Sequence, residues 1–255
     1  MLLRRLPTDI LMTMLLLTAI VSSSRAETIG SLVINDDVEI EIRQFGDPAA
    51  TAIIWFACNQ GEDSVEFETA RKLAGKGYRT YFPDMLSAHF LSQLPSNIAR
   101  VPADEVAAVV LHILQHSNAN QIYLVAGARA AVPVLRGLAD KRMQQASARL
   151  KGALLITPRI NQKTPEPGAE PVYIDAVGLS VHPLLVLEGE RTPNRWGLPH
   201  LSAALAKSGS KVRAELIQGV RGYFYLRDDQ TDAEAEMTRN LDLLIHDNLE
   251  KLGSL

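Results

Sequence analysis

The chain contains one cysteine, Cys58. A single thiol cannot close an internal disulfide, so whatever the redox compartment, the fold must be held by its apolar core. A surplus of positive charge is also missing: 26 lysines and arginines face 29 carboxylates. That excludes the basic footprint expected of a nucleic-acid-binding protein. No apolar run approaches the ~20 residues needed to span a bilayer. There is no internal repeat, low-complexity tract or interdomain linker, so the length fits one large domain or two small ones, and one is expected.

The first 26 residues differ from the rest. Arg4 and Arg5 precede an apolar stretch from Ile10 to Val21, followed by Ser22-Ser23-Ser24-Arg25-Ala26. A basic start, a short apolar core and small residues at the exit are the pattern of a secretory signal, with cleavage expected before Glu27 and the protein periplasmic or secreted. Its removal takes away three arginines and one aspartate, leaving 23 basic and 28 acidic side chains, a net charge of −5. Residues 27–255 are then expected to form one domain without a membrane segment.

Ser31 to Ile42 alternates apolar and polar residues around Asn35-Asp36-Asp37, which predicts an antiparallel edge hairpin. From Thr51 the pattern changes to short unbroken apolar runs alternating with amphipathic stretches. Ala52–Ala57 is such a run, and further strands are expected at Arg79–Phe82, Gln121–Ala126, Gly152–Thr157, Leu184–Leu187 and Lys211–Gln218. Helices are expected over 64–76, 103–116, 130–138, 200–208 and 232–251. Apolar runs with helical crossovers imply the α/β class, a doubly wound and mostly parallel sheet of five parallel strands covered on both faces. Asn161 to Gly178, with Pro165, Pro167, Gly168 and Pro171, has no core periodicity and predicts a surface excursion or lid.

Tyr123 to Ala131 runs from a strand through Gly127-Ala128-Arg129-Ala130-Ala131 into a helix. This resembles the nucleophile elbow of the α/β-hydrolase superfamily, and the likeness extends over roughly residues 30 to 250. In that family the nucleophile stands on the elbow, an acid follows a late strand and a histidine follows the last strand. The resemblance places Arg129 at the nucleophile, Thr192 of Gly189-Glu190-Arg191-Thr192 at the acid, and Arg221 of Gly219-Val220-Arg221-Gly222 at the histidine. None of the three can perform its role. An arginine stays protonated and has no lone pair with which to attack.

Four arginines follow successive strands: Arg129, Arg159, Arg191 and Arg221. In a parallel sheet all four lie at the carboxyl edge, where such sheets bind ligands. Two readings follow. Arg129 and Arg221 grip a small anionic ligand through forked hydrogen bonds, or Asp84 and Glu190 neutralise the arginines in an internal network.

Other candidates are weaker. Cys58 lies in the segment where the family builds its oxyanion hole, but no base is tied to it by spacing. His112 and His116 share a helix face without a third metal ligand in the pattern. The segment Asp84 to Leu91 and the aromatics Tyr223, Phe224 and Tyr225 offer a surface for an exported partner protein. No cofactor motif is present. The expectation is a non-catalytic binding or accessory protein on a hydrolase-like scaffold. The competing expectation is an esterase-like hydrolase using displaced groups drawn from Cys58, Ser87, Asp84 and Glu190.

Overall fold

The computed structural model describes residues 27–57, 61–166 and 168–255. The expected leader and Cys58 lie outside the described residues. Eight strands form one sheet in the order β1-β2-β4-β3-β5-β6-β7-β8. They are β1 (Glu27–Asn35), β2 (Val38–Phe45), β3 (Thr51–Phe56), β4 (Tyr78–Pro83), β5 (Gln121–Gly127), β6 (Leu150–Ile156), β7 (Leu184–Gly189) and β8 (Val212–Ile217). The hairpin is longer than its sequence pattern suggested, and β2 joins β4 in antiparallel register. Six strands rather than five run parallel, because every apolar run from Thr51 onward pairs into the same sheet.

The helices are α1 (Val65–Ala74), α2 (Pro95–Ile98), α3 (Ala103–His116), α4 (Ala131–Leu138), α5 (Leu198–Leu205), α6 (Asp232–Arg239) and α7 (Leu241–Gly253). Strand residues alternate between two cores, as a doubly covered sheet requires. Ile54 and Phe56 of β3 face α3, α4 and α5 with Leu124, Leu155 and Val186. Ile53 and Trp55 face α1 and α7 with Val125, Leu154 and Leu185. Burying each such side chain stabilises the fold by about 1.5–3 kcal/mol.

The long helix expected over 232–251 is two helices. Asn240 (φ −104°, ψ 20°) leaves the helical region and separates α6 from α7. Helix α6 opens on a reciprocal cap: Thr231 Oγ1 accepts from the Glu234 amide, and Glu234 Oε2 accepts from the Thr231 amide at 2.9 Å. The register then sets the functional edge, since Gly127 pairs with Ile156, Ile156 with Leu187, and Gly189 with Ile217. The loops after β5, β6, β7 and β8 therefore leave the sheet at nearly one level.

Candidate functional site

Four non-glycine residues among those described have positive φ: Phe90 (53°), Ala128 (49°), Thr157 (45°) and Tyr223 (60°). They follow β4, β5, β6 and β8, all at the carboxyl edge of the parallel strands. Left-handed backbone at such residues costs on the order of 1–3 kcal/mol each and concentrates at functional sites. These strained turns also touch one another. The Arg159 amide donates to the Ala128 carbonyl at 2.9 Å, and the Tyr223 amide donates to Thr157 Oγ1 at 3.1 Å. The Arg159 guanidinium lies 4.9 Å from the centre of the Tyr223 ring.

Ala128 is the strained residue where the chain turns from β5 into α4. The sequence reading had put the apex of that turn on Arg129, one position later. The preceding residue has to be glycine, because a Cβ on Gly127 would fall 1.7 Å from the Tyr225 hydroxyl.

The expected histidine position also moves. Arg221 points out of the site, where its guanidinium donates to Glu234 at 2.7 and 2.6 Å and to Asp229 Oδ2 at 3.1 Å. A Cβ on the neighbouring Gly222, in contrast, would lie 3.7 Å from Thr192 Oγ1 and 3.9 Å from Glu188 Oε1. The position facing the expected acid site is thus Gly222. Thr192 itself lies where the sequence placed it, after β7, with its hydroxyl capping the following turn at the Asn194 amide.

The four arginines do not act together. Arg221 is held by Glu234 and Asp229, and Arg159 stacks on Tyr223. Arg191 is exposed, and its amide donates to the Val220 carbonyl. Arg129 is half-buried, its carbonyl accepts from the Ala131 amide, and its side chain has no hydrogen-bond or ion-pair partner among the described residues. The carboxylates expected to neutralise them are engaged elsewhere. Asp84 accepts from the Ser87 amide, and Glu190 accepts from the Gly219 amide. A clamp of Arg129 with Arg221 on one anion is incompatible with the ion pairs that Arg221 makes.

The Arg221–Glu234 pair lowers the Glu234 carboxyl below its usual range and raises the guanidinium, chiefly through their hydrogen bonds. The signal for it was in the sequence, because Thr231-x-x-Glu234 is a capping box. Glu234 is fully buried. We expect Glu234→Ala to lower the melting temperature by about 5 °C, because the carboxylate half of the capping box is lost and Arg221 keeps only the solvent-facing Asp229. A thermal melt of the variant at pH 7 measures this.

Glu188 was not singled out by the sequence reading. It is the penultimate residue of β7 and only 2% exposed. Its Oε1 accepts from the Gly189 amide at 2.9 Å. Burial raises its carboxyl to about 7, while the Gly189 amide and Asn194 act in the opposite direction. An isolated acid in Leu184-Leu185-Val186-Leu187-Glu188-Gly189 was the available signal, since carboxylates are rarely fully buried in an apolar strand without a purpose.

Glu188 opens onto a cleft of about 790 Å³ bounded by Pro158, Tyr173, Asn194, Trp196 and His200. One wall is the irregular stretch, which folds back on itself: the Gln162 amide donates to Val172 and the Ile174 amide to Ile160. Among the described residues the lining includes Glu166, Glu170 and Glu188 and no arginine or lysine. That composition disfavours an anion in this cleft.

The remaining candidates lie apart. Met85 and Leu86 of the 84–91 segment are buried, whereas Phe90 is 96% exposed. Phe224 and Tyr225 are core residues, and Tyr223 is half-buried. His112 and His116 stack with ring centres 4.2 Å apart on α3. No third histidine, cysteine or carboxylate joins them among the described residues. No described helix is long and apolar enough to cross a membrane.

No protein-family model matches the chain, and no curated protein matches it in sequence. Solved structures do match. Apo Thermogutta terrifontis esterase 2 superposes with a TM-score of 0.60 at 14% identity, over 90% of this chain and 96% of that one. Carboxyl esterase 2 from the mycorrhizal fungus Tuber melanosporum does so with a TM-score of 0.64 at 15% identity, over 92% and 88%. At these identities the likeness is one of fold: the chain is an eight-stranded, mostly parallel sheet with the α/β-hydrolase architecture of these esterases.

Proposed function

With the α/β-hydrolase fold as premise, we propose that this protein is an exported, non-catalytic binding protein whose serine-hydrolase triad has been lost. The observation that carries this reading is the strained residue at the elbow, Ala128, whose methyl group cannot attack a carbonyl. Thr192 at the acid position can neither orient nor charge-stabilise a histidine, and Gly222 at the histidine position has no side chain. The geometry of the elbow persists while the groups that would use it are gone. The ligand site is the cleft beside Glu188, whose aromatic walls and carboxylates suit a small neutral or amine-bearing molecule.

The test is chemical. The mature protein is incubated with a fluorophosphonate probe and with short-chain p-nitrophenyl esters. No covalent adduct and no turnover above buffer are expected, and labelling of any residue overturns the reading.

The alternative is an esterase-like hydrolase using displaced groups. Glu188 favours it, because a buried carboxyl poised near neutrality is suited to general acid–base work. If turnover is observed, this alternative requires that Glu188→Gln abolish it.

A further inference from the structure

At the opposite edge of the sheet, away from the strained turns, lies a second cleft of about 470 Å³ between the antiparallel edge strands and the end of α3. Arg79 of β4 and the pair His112 and His116 of α3 line it, together with Gln44 of β2 and Asn118 and Asn120 of the following loop. Among the described residues, no aspartate or glutamate lines this cleft.

Arg79 is the unusual member. It makes no ion pair among the described residues; its Nη2 donates to Gln44 Oε1, and its Nε is buried without a hydrogen-bond partner. Its guanidinium also lies 5.5 Å from the centre of the Tyr81 ring. A buried donor left without an acceptor is unfavourable, and Gln44 is the one hydrogen-bond partner of the guanidinium among the described residues, so the fork keeps donors for an entering acceptor.

The end of a helix ordinarily repels anions, because its last carbonyls carry partial negative charge. Here that charge is met from behind: Arg149 donates to the carbonyls of Leu114, Ser117 and Ala119. The groups facing the cleft are therefore Arg79 and Tyr81 from β4 and the two histidines from α3. The polar side chains that strands β1 and β2 contribute are the uncharged Ser31 and Gln44, and the loop contributes Ser117 and the two asparagines.

We propose that this cleft binds a tetrahedral oxyanion, the phosphate or sulfate group of a small molecule, with Arg79 as its anchor and His112 and His116 as proton-dependent donors. Donors line it from the sheet, the helix and the loop, which suits a tetrahedral group better than a planar carboxylate. Ile42, Ile113 and Pro48 supply an apolar wall for the organic remainder. Burial and the neighbouring His116 hold His112 below its ordinary value, so a bound anion should draw a proton onto His112.

The experiment follows the histidine ring resonances by NMR while the whole mature protein is titrated with inorganic phosphate at pH 6 and pH 8. Saturable shifts of His112 and His116 are expected, with affinity at least tenfold weaker at pH 8. Sulfate should compete and acetate should not. Arg79→Gln should weaken binding at least tenfold. Arg79→Lys keeps the charge but loses the fork and should give an intermediate value; it also serves if the glutamine variant is unfolded. The paired substitution His112→Gln with His116→Gln, on a helix surface, should remove the pH dependence. Linear, non-saturating shifts, or equal affinity in folded Arg79 variants, overturn the proposal. The site is independent of the cleft at Glu188, so Glu188→Gln should leave phosphate binding unchanged.

Discussion

Replacing Ala128 with serine, Thr192 with aspartate and Gly222 with histidine is expected to convert this protein into one that reacts covalently with a fluorophosphonate and hydrolyses p-nitrophenyl acetate. The backbone supports the result at each corner. Ala128 already has the strained φ of 49° at the turn into α4, so serine would enter a conformation the chain maintains. At Gly222 a Cβ meets nothing closer than 3.7 Å, so the position accepts a side chain at its first carbon. Its nearest neighbours would be residue 192 and Glu188, which places a carboxylate within reach of the ring.

Positioned general acid–base catalysis contributes about 10²–10⁴-fold, so turnover at least 10²-fold above the parent protein is expected. Ala128→Ser alone should gain far less, because a serine without a base is a weak nucleophile. Mass spectrometry should place the adduct on residue 128. A triple variant that melts like the parent protein and carries no adduct would show that these positions are not a vacated triad.

The second large effect concerns Glu188. Its folded-state value of about 7 stands above the ordinary 4.5, with burial as the main cause. Below pH 4.5 the carboxyl is protonated whether the chain is folded or not, and it has no effect on stability. Between pH 4.5 and 7 the unfolded chain releases the proton while the folded one retains it. Stability therefore falls as pH rises through that window and stays lower above it. The full difference is about 3 kcal/mol, taking 1.36 kcal/mol per unit. Glu188→Gln keeps the shape and removes the titration. Its melting temperature should match that of the parent protein near pH 4.5 and exceed it by about 6–12 °C at pH 8. Equal shifts at both pH values would show that the carboxyl is not titrating in the folded state. A cationic ligand in the cleft should narrow the gap, because it stabilises the ionised form.

Much of the architecture was present in the sequence. The apolar runs at Ala52–Ala57, Gln121–Ala126, Gly152–Thr157 and Leu184–Leu187 specified buried strands, because only a sheet covered on both faces accepts apolar side chains at consecutive positions. The alternation in Ser31 to Ile42 specified an edge with one wet face. The small residues around Gly127 marked a tight turn. They also made its register ambiguous: Ala126, Gly127, Ala128, Ala130 and Ala131 are all small, so an apex at 128 or at 129 satisfies the pattern equally well.

Only the tertiary structure resolved that ambiguity. The φ at Ala128 and the hydroxyl of Tyr225 against Gly127 depend on a loop nearly a hundred residues later. The same holds for Arg221. Its sequence neighbours suggest a ligand-facing cation, but Glu234, thirteen positions on, turns it away once α6 packs beside the loop. Whether Glu188 titrates near neutrality likewise depends on what removes water from it. The sequence by itself therefore determined most of the strands and the run of small residues at the turn after β5. Which backbone position is strained, which arginine is already paired and which carboxyl is desolvated were decided by long-range packing, because each depends on groups that only the closed sheet brings together.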